Sequence, residues 1–83
     1  MPAHRVLIVD DEAALHLAVW IGLAAKGFEV MEALNGKEAL RILEAEHCDA
    51  VLMDVNMAEL DGIAACRLIR NIRPALYILI ISV

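Results

Sequence analysis

The sequence predicts an α/β chain built on a doubly wound parallel sheet, with elements in the order βαβαβαβ. Three observations predict it. Two short apolar runs, the β-branched Val6-Leu7-Ile8-Val9 and the similar Ala50-Val51-Leu52-Met53, each end in an acid, as strands buried on both faces do where they emerge into solvent. The stretches between predicted strands carry apolar residues at helical spacing. Connections of helix length join parallel strands, and such crossovers are right-handed.

The first strand runs from Val6 to Val9 and stops at Asp10-Asp11-Glu12. Asp11 can cap a helix with Glu12 in its first turn, and Leu15, Ala18, Val19, Gly22 and Leu23 then recur at helical spacing as far as Lys26-Gly27. Gly27 suits a left-handed C-terminal cap. Phe28 to Ala33 alternates imperfectly and reads as a second strand, followed by a turn at Leu34-Asn35-Gly36. From Lys37 to Glu46, Ala39, Leu40, Ile42, Leu43 and Ala45 share one broad face, opposite Lys37, Glu38, Arg41 and Glu44. His47-Cys48-Asp49 breaks that pattern. The third strand, Ala50 to Met53, ends at Asp54, and a loop with Asn56, Asp61 and Gly62 leads into a helix through Asn71 whose apolar face includes Ile63, Cys66, Leu68, Ile69 and Ile72. Pro74 stops it, and Tyr77 to Val83 is the last strand.

Composition narrows the function. With 61% hydrophobic and 23% charged residues, the 83-residue chain has the apolar content of a folded protein and the length of one domain, residues 1–83. Cys48 and Cys66 stand in no disulfide-scaffold or zinc-ligand spacing. Seven basic against twelve acidic side chains give a net charge of -5, which argues against nucleic acid and anionic membranes as partners. The longest stretch without a formal charge, Ala13 to Ala25, falls short of the ~20 apolar residues of a membrane span. The N-terminus lacks the apolar core of a secretory signal, so a cytoplasmic location is expected.

In open α/β sheets ligands bind beyond the carboxyl ends of the strands, beside a point where strand order reverses. Asp10, Asp11 and Asp54 all occupy such ends. Singly, each has a plain explanation: Asp11 as a helix cap, Asp10 as a strand terminator, Asp54 as a loop residue. If the first and third strands are neighbours, the three carboxylates converge, and their repulsion calls for a raised pKa or a cation. Mg2+ suits one or two carboxylates, a carbonyl such as that of Asn56, and waters, and it commonly bridges protein to phosphoryl groups. A carboxylate beside it can attack phosphorus to give an acyl phosphate, and Asp54 is the candidate.

These residues carry a resemblance. Val6-Leu7-Ile8-Val9-Asp10-Asp11-Glu12, Asn35-Gly36-Lys37-Glu38-Ala39-Leu40, Asp49-Ala50-Val51-Leu52-Met53-Asp54-Val55-Asn56-Met57 with Asp61-Gly62, and the strand closing at Ser82 resemble the receiver domain of two-component response regulators over essentially the whole chain. The resemblance implies a flavodoxin-like sheet with strand order 2-1-3-4. It implies that Asp54 accepts a phosphoryl group from a histidine kinase or phosphotransfer protein. It implies Mg2+ held by Asp10, Asp11, Asp54 and the Asn56 carbonyl, and a switch role for the Ser82 hydroxyl. The module is then a signalling domain rather than an enzyme, with no DNA-binding or catalytic output segment.

Departures from the family pattern shape the remaining expectations. The family continues past the switch residue through a helix, a lysine-bearing strand and a further helix, so the chain reads as a receiver truncated after its fourth strand; Lys26 and Lys37 occupy other positions. Ala58 stands where the family usually has proline, and Val83 where a small residue usually follows the switch hydroxyl. The last strand, with its unpaired edge, and the surface beside the first helix are therefore expected to support a homodimer. A second reading follows, in which the chain is a phosphorylation-independent dimerisation or interaction module. A third, an Asp-nucleophile phosphatase, is the weakest, because those enzymes need an acid where Asn56 stands. His4, His16 and His47 read as dispersed surface residues, Met31, Met53 and Met57 as core filler, Trp20 as a core or dimer contact, and Cys66 as a small buried hydrophobe.

Overall fold

A computed structural model describes residues 4–10, 13–54 and 62–81, with side chains for all of these except 13–16, 54, 62, 63 and 81. Seven elements follow in order: β1 (Arg5–Val9), α1 (Ala13–Ala25), β2 (Glu29–Ala33), α2 (Gly36–Ala45), β3 (Ala50–Asp54), α3 (Gly62–Ile72) and β4 (Tyr77–Ile81). The strands form one parallel sheet in the order β2-β1-β3-β4, as expected. The step from β1 to β2 runs one way across the sheet, whereas β2 to β3 and β3 to β4 run the other way. Right-handed crossovers therefore place α1 on one face and α2 with α3 on the opposite face.

Burial follows that division. Side chains alternate along a strand and register partners share a face. Leu7 and Val9 of β1, Ala33 of β2 and Val51 and Met53 of β3 point to one side, where they meet Ala39 and Leu43 of α2 and Ala65 and Ile69 of α3. Met31, Leu40, Ile42, Cys48, Cys66 and Ile78 close around this cluster, and α2 packs against α3. Val6 and Ile8 point to the other face and are also buried. There α1 packs on β2, and Tyr77 and Leu79 of β4 remain exposed.

Local chemistry sets the ends of the elements. Gly27 has φ +90°, the left-handed conformation that closes a helix, and its N–H donates to the Ala24 carbonyl at 3.0 Å. The Arg73 guanidinium donates to the Leu43 carbonyl in the last turn of α2, with its Nη2 at 2.7 Å. Arg70 donates to the Pro74 and Leu76 carbonyls, holding the turn into β4.

Several expectations are corrected. Of the residues expected to face inward on α1, Val19 and Leu23 are half-buried, but Ala18 and Gly22 are exposed, and Trp20 stands too far into solvent to be a core residue. On α3 the buried residues are Ala65 and Ile69, while Leu68 and Ile72 are exposed. Ala45 is exposed, and Gly36 belongs to α2 rather than to a turn. The expected cap at Asp11, the first-turn Glu12 and Met57 lie outside the described residues.

Candidate functional site

Parallel strands present their carboxyl ends along one edge of the sheet. β1 delivers Asp10 there, 3% exposed. Its backbone N–H donates to the Ala33 carbonyl at 3.1 Å, which carries the β1–β2 seam one step past Val9. β3 delivers Asp54 as its last residue. Because Val9 pairs with Met53, Asp10 and Asp54 follow at the same step on neighbouring strands, whose axes lie about 4.8 Å apart in a sheet. On its other side Asp54 is the register partner of Ile81, the residue before Ser82.

Of the five expected site residues, the backbone brings Asp10 and Asp54 together at this edge. Asp11, Asn56 and Ser82, and the Asp54 side chain, lie outside the described residues. Among the described residues no group of three or more His, Cys, Asp or Glu side chains could hold a metal ion. Asp10 is the one member of the expected acidic set whose side chain is described.

Sequence reasoning missed what happens between β2 and α2. Asn35 is the N-cap of α2: with extended backbone (φ -157°, ψ 173°), its side-chain oxygen accepts from the Glu38 N–H at 2.8 Å. The signal was present as Asn followed three residues later by Glu, the spacing of a capping box.

The opposite edge of the sheet was also undervalued. There Arg5 and Asp49 clasp β1 to β3: the Arg5 N–H donates to Asp49 Oδ2 at 2.7 Å and the Asp49 N–H to the Arg5 carbonyl at 2.9 Å. The bond from the Arg5 N–H, with His47 Nε2 at 3.0 Å from Oδ1, holds the Asp49 carboxyl below the usual carboxylate range. Arg5 Nη2 also pairs with Glu46 at 3.1 Å. A cleft of about 420 Å³ beside this clasp is lined by His47, Cys48, Asp49, Arg73 and the apolar Ile72 and Leu76. Burial pushes the Cys48 thiol up, so it stays protonated, and Sγ donates to the Ala50 carbonyl at 3.0 Å.

The chain has known relatives both in sequence and in fold. The chemotaxis protein CheY of Bacillus subtilis is 44% identical over 71 residues, covering 84% of this chain and 59% of that protein. The receiver domain protein of Methanospirillum hungatei superposes with a TM-score of 0.94 at 26% identity, over 96% of this chain and 64% of that one. The response regulator TrrA of Thermotoga maritima, solved in complex with Mg(2+)-BeF, gives a TM-score of 0.91 at 29% identity, over 95% and 69% of the two chains. It has also been solved in complex with the histidine kinase ThkA. The chain spans between 10% and 59% of the length of such curated relatives. The family model for the response regulator receiver domain matches residues 6–83, and with the strand order in agreement, the chain belongs to the receiver domains of two-component response regulators.

Proposed function

We propose that residues 1–83 act as a phosphoacceptor receiver, in which Asp54 takes a phosphoryl group from a phosphohistidine of a partner kinase or phosphotransfer protein. The observation that carries this reading is the position of Asp10 and Asp54 at the same step on adjacent parallel strand ends. A carboxylate oxygen of Asp54 attacks phosphorus, the P–N bond to the imidazole breaks, and the leaving ring nitrogen takes up a proton. Asp10, Asp11, Asp54 and the Asn56 carbonyl form a set of hard oxygen donors that fits Mg2+. A buried acid on β1 beside the end of β3 supports that fit. When bound, the ion neutralises charge on the carboxylates and the phosphoryl oxygens. Ser82, next to the register partner of Asp54, is proposed to hydrogen-bond the phosphoryl group. The TrrA complexes with Mg(2+)-BeF and with a histidine kinase support the metal and the partner. A cytoplasmic location is proposed with them; among the described residues no helix is long and apolar enough to cross a membrane.

Intact-mass analysis after incubation with Mg2+ and a small-molecule phosphodonor tests this reading. The chain is expected to gain one phosphoryl group and Asp54→Asn to gain none. Absence of an adduct on the parent chain, with Mg2+ bound, overturns it.

A second reading, that of an interaction module, is favoured by the apolar side chains left in solvent on α1 and β4, among them Leu17, Ile21 and Tyr77. It predicts a homodimer of this chain by light scattering at micromolar concentration, and a monodisperse monomer removes it.

A further inference from the structure

The backbone of Asp10 is tied to β2 at the sheet edge. Its N–H is bonded to the Ala33 carbonyl, and Ala33 is the last residue of β2 and fully buried. Only Leu34 then separates Ala33 from Asn35, which is fixed twice: its side-chain oxygen accepts from the Glu38 N–H at 2.8 Å, and its carbonyl accepts from the Ala39 N–H at 3.1 Å. Gly36 and Ala39, on either side of these bonds, are buried. The carbonyl that seats Asp10 is therefore clamped between a sheet seam and the capped first turn of α2. A peptide plane two residues from a rigid helix start has little freedom to rotate.

We infer that Asn35 is a positioning residue for the Asp10 side of the metal site: by fixing where α2 begins, it fixes the Ala33 carbonyl, and through it the backbone of Asp10. The inference rests on the proposed role of Asp10 as a Mg2+ ligand and goes further by assigning the support of that ligand to a residue in another connection of the fold. Losing the cap frees the Glu38 N–H and lets the first turn of α2 fray, and the Ala33 peptide then loses its anchor on one side. Asn35→Asp and Asn35→Ser retain a side-chain oxygen that caps equally well.

The test measures Mg2+ affinity by isothermal titration calorimetry and stability by urea unfolding, on the parent chain, Asn35→Ala, Asn35→Ser and Glu44→Gly. Glu44 is exposed on α2 away from its start, so glycine there weakens the helix without touching the cap. Asn35→Ala is expected to weaken Mg2+ by about tenfold, the lower end of what partners of metal ligands contribute. Asn35→Ser restores the affinity, and Glu44→Gly loses stability with Mg2+ binding unchanged. In the metal-free protein, the Asp10 amide exchanges faster with deuterium in Asn35→Ala than in the parent. Equal Mg2+ affinity in the parent and Asn35→Ala overturns the inference alone, as does an equal loss in Glu44→Gly. A parent chain that binds no Mg2+ overturns the ligand reading and the inference with it.

Discussion

The two faces of the sheet are covered very differently. On the face of α2 and α3, Leu7, Val9, Val51, Met53, Leu43 and Ile69 are all fully buried. On the face of α1, Tyr77 is 66% and Leu79 47% exposed, and α1 itself leaves Leu17 60% and Ile21 55% exposed. Topology explains the contrast. Strand order 2-1-3-4 sends two crossovers to one side and one to the other. Four strands about 4.8 Å apart span roughly 14 Å between the outer axes, whereas a helix with its side chains is about 10 Å wide. Two helices cover most of such a face, leaving Ile80 at its β4 edge 49% exposed, and one seated on β2 leaves the β4 side more widely open. Stability in this molecule should therefore reside mainly on one face, while the other buries Val6 and Ile8 of β1 and leaves its β4 side free for contacts.

The largest effect that can break this contrast is a cavity on the covered face. Leu43→Ala removes a fully buried side chain from the middle of the cluster and should cost about 2–5 kcal/mol. That is a large share of the roughly 5–15 kcal/mol that holds an ordinary domain. Urea unfolding followed by circular dichroism measures it. A loss below about 1 kcal/mol would mean that the α2 and α3 face collapses around the cavity and is not the close-packed core described above.

The same contrast explains what could be read from the sequence. β1 and β3 were legible because buried parallel strands are uninterrupted apolar runs, and the acids that end them put Asp10 and Asp54 at one edge before any coordinates. The inward side of α1 was not legible: Ala13 to Ala25 contains no charged residue, so nothing marks which side meets water, and spacing alone chose Ala18 and Gly22 where the fold exposes them. On α3 the apolar residues extend beyond one stripe, and close packing against the sheet selected the small Ala65 over the larger Leu68. For the site, Asn35 beside Gly36 reads as a turn. Its consequence for Asp10 passes through the Ala33 carbonyl, a contact between residues far apart in sequence that no local pattern displays. The Arg5–Asp49 clasp was hidden for the same reason.

That clasp belongs to neither face, and it gives a smaller test of where stability resides. The Asp49 carboxyl is held below its ordinary value in the folded state by the Arg5 N–H and by His47 and His4. A depressed folded pKa contributes stability that is complete above the unfolded value and lost as pH falls through the folded one. The chain should therefore lose stability from about pH 4 downward, and Asp49→Asn, whose amide oxygen can still accept from Arg5, should flatten that part of the profile. Urea midpoints between neutral pH and pH 2 check it. The same acid slope in parent and variant would assign the loss to other carboxylates. The effect is modest because the carboxylate is within reach of solvent, which screens it.

The smallest expected effect sharpens the contrast most, because it separates an open face from one covered in solution. Among the described residues Leu17 is the most exposed of the large α1 side chains, so in an isolated chain Leu17→Gln should change stability by no more than about 0.5 kcal/mol. Glutamine propagates a helix about as well as leucine, so backbone preference does not blur the result. If a second copy covers this face, burying Leu17 stabilises the folded chain by mass action, and the urea midpoint of the parent rises with protein concentration. Leu17→Gln would then lower the midpoint at high concentration and leave it unchanged at low concentration. A variant indistinguishable from the parent at every concentration places the α1 side chains in water, and the open face is then available to a partner of another kind.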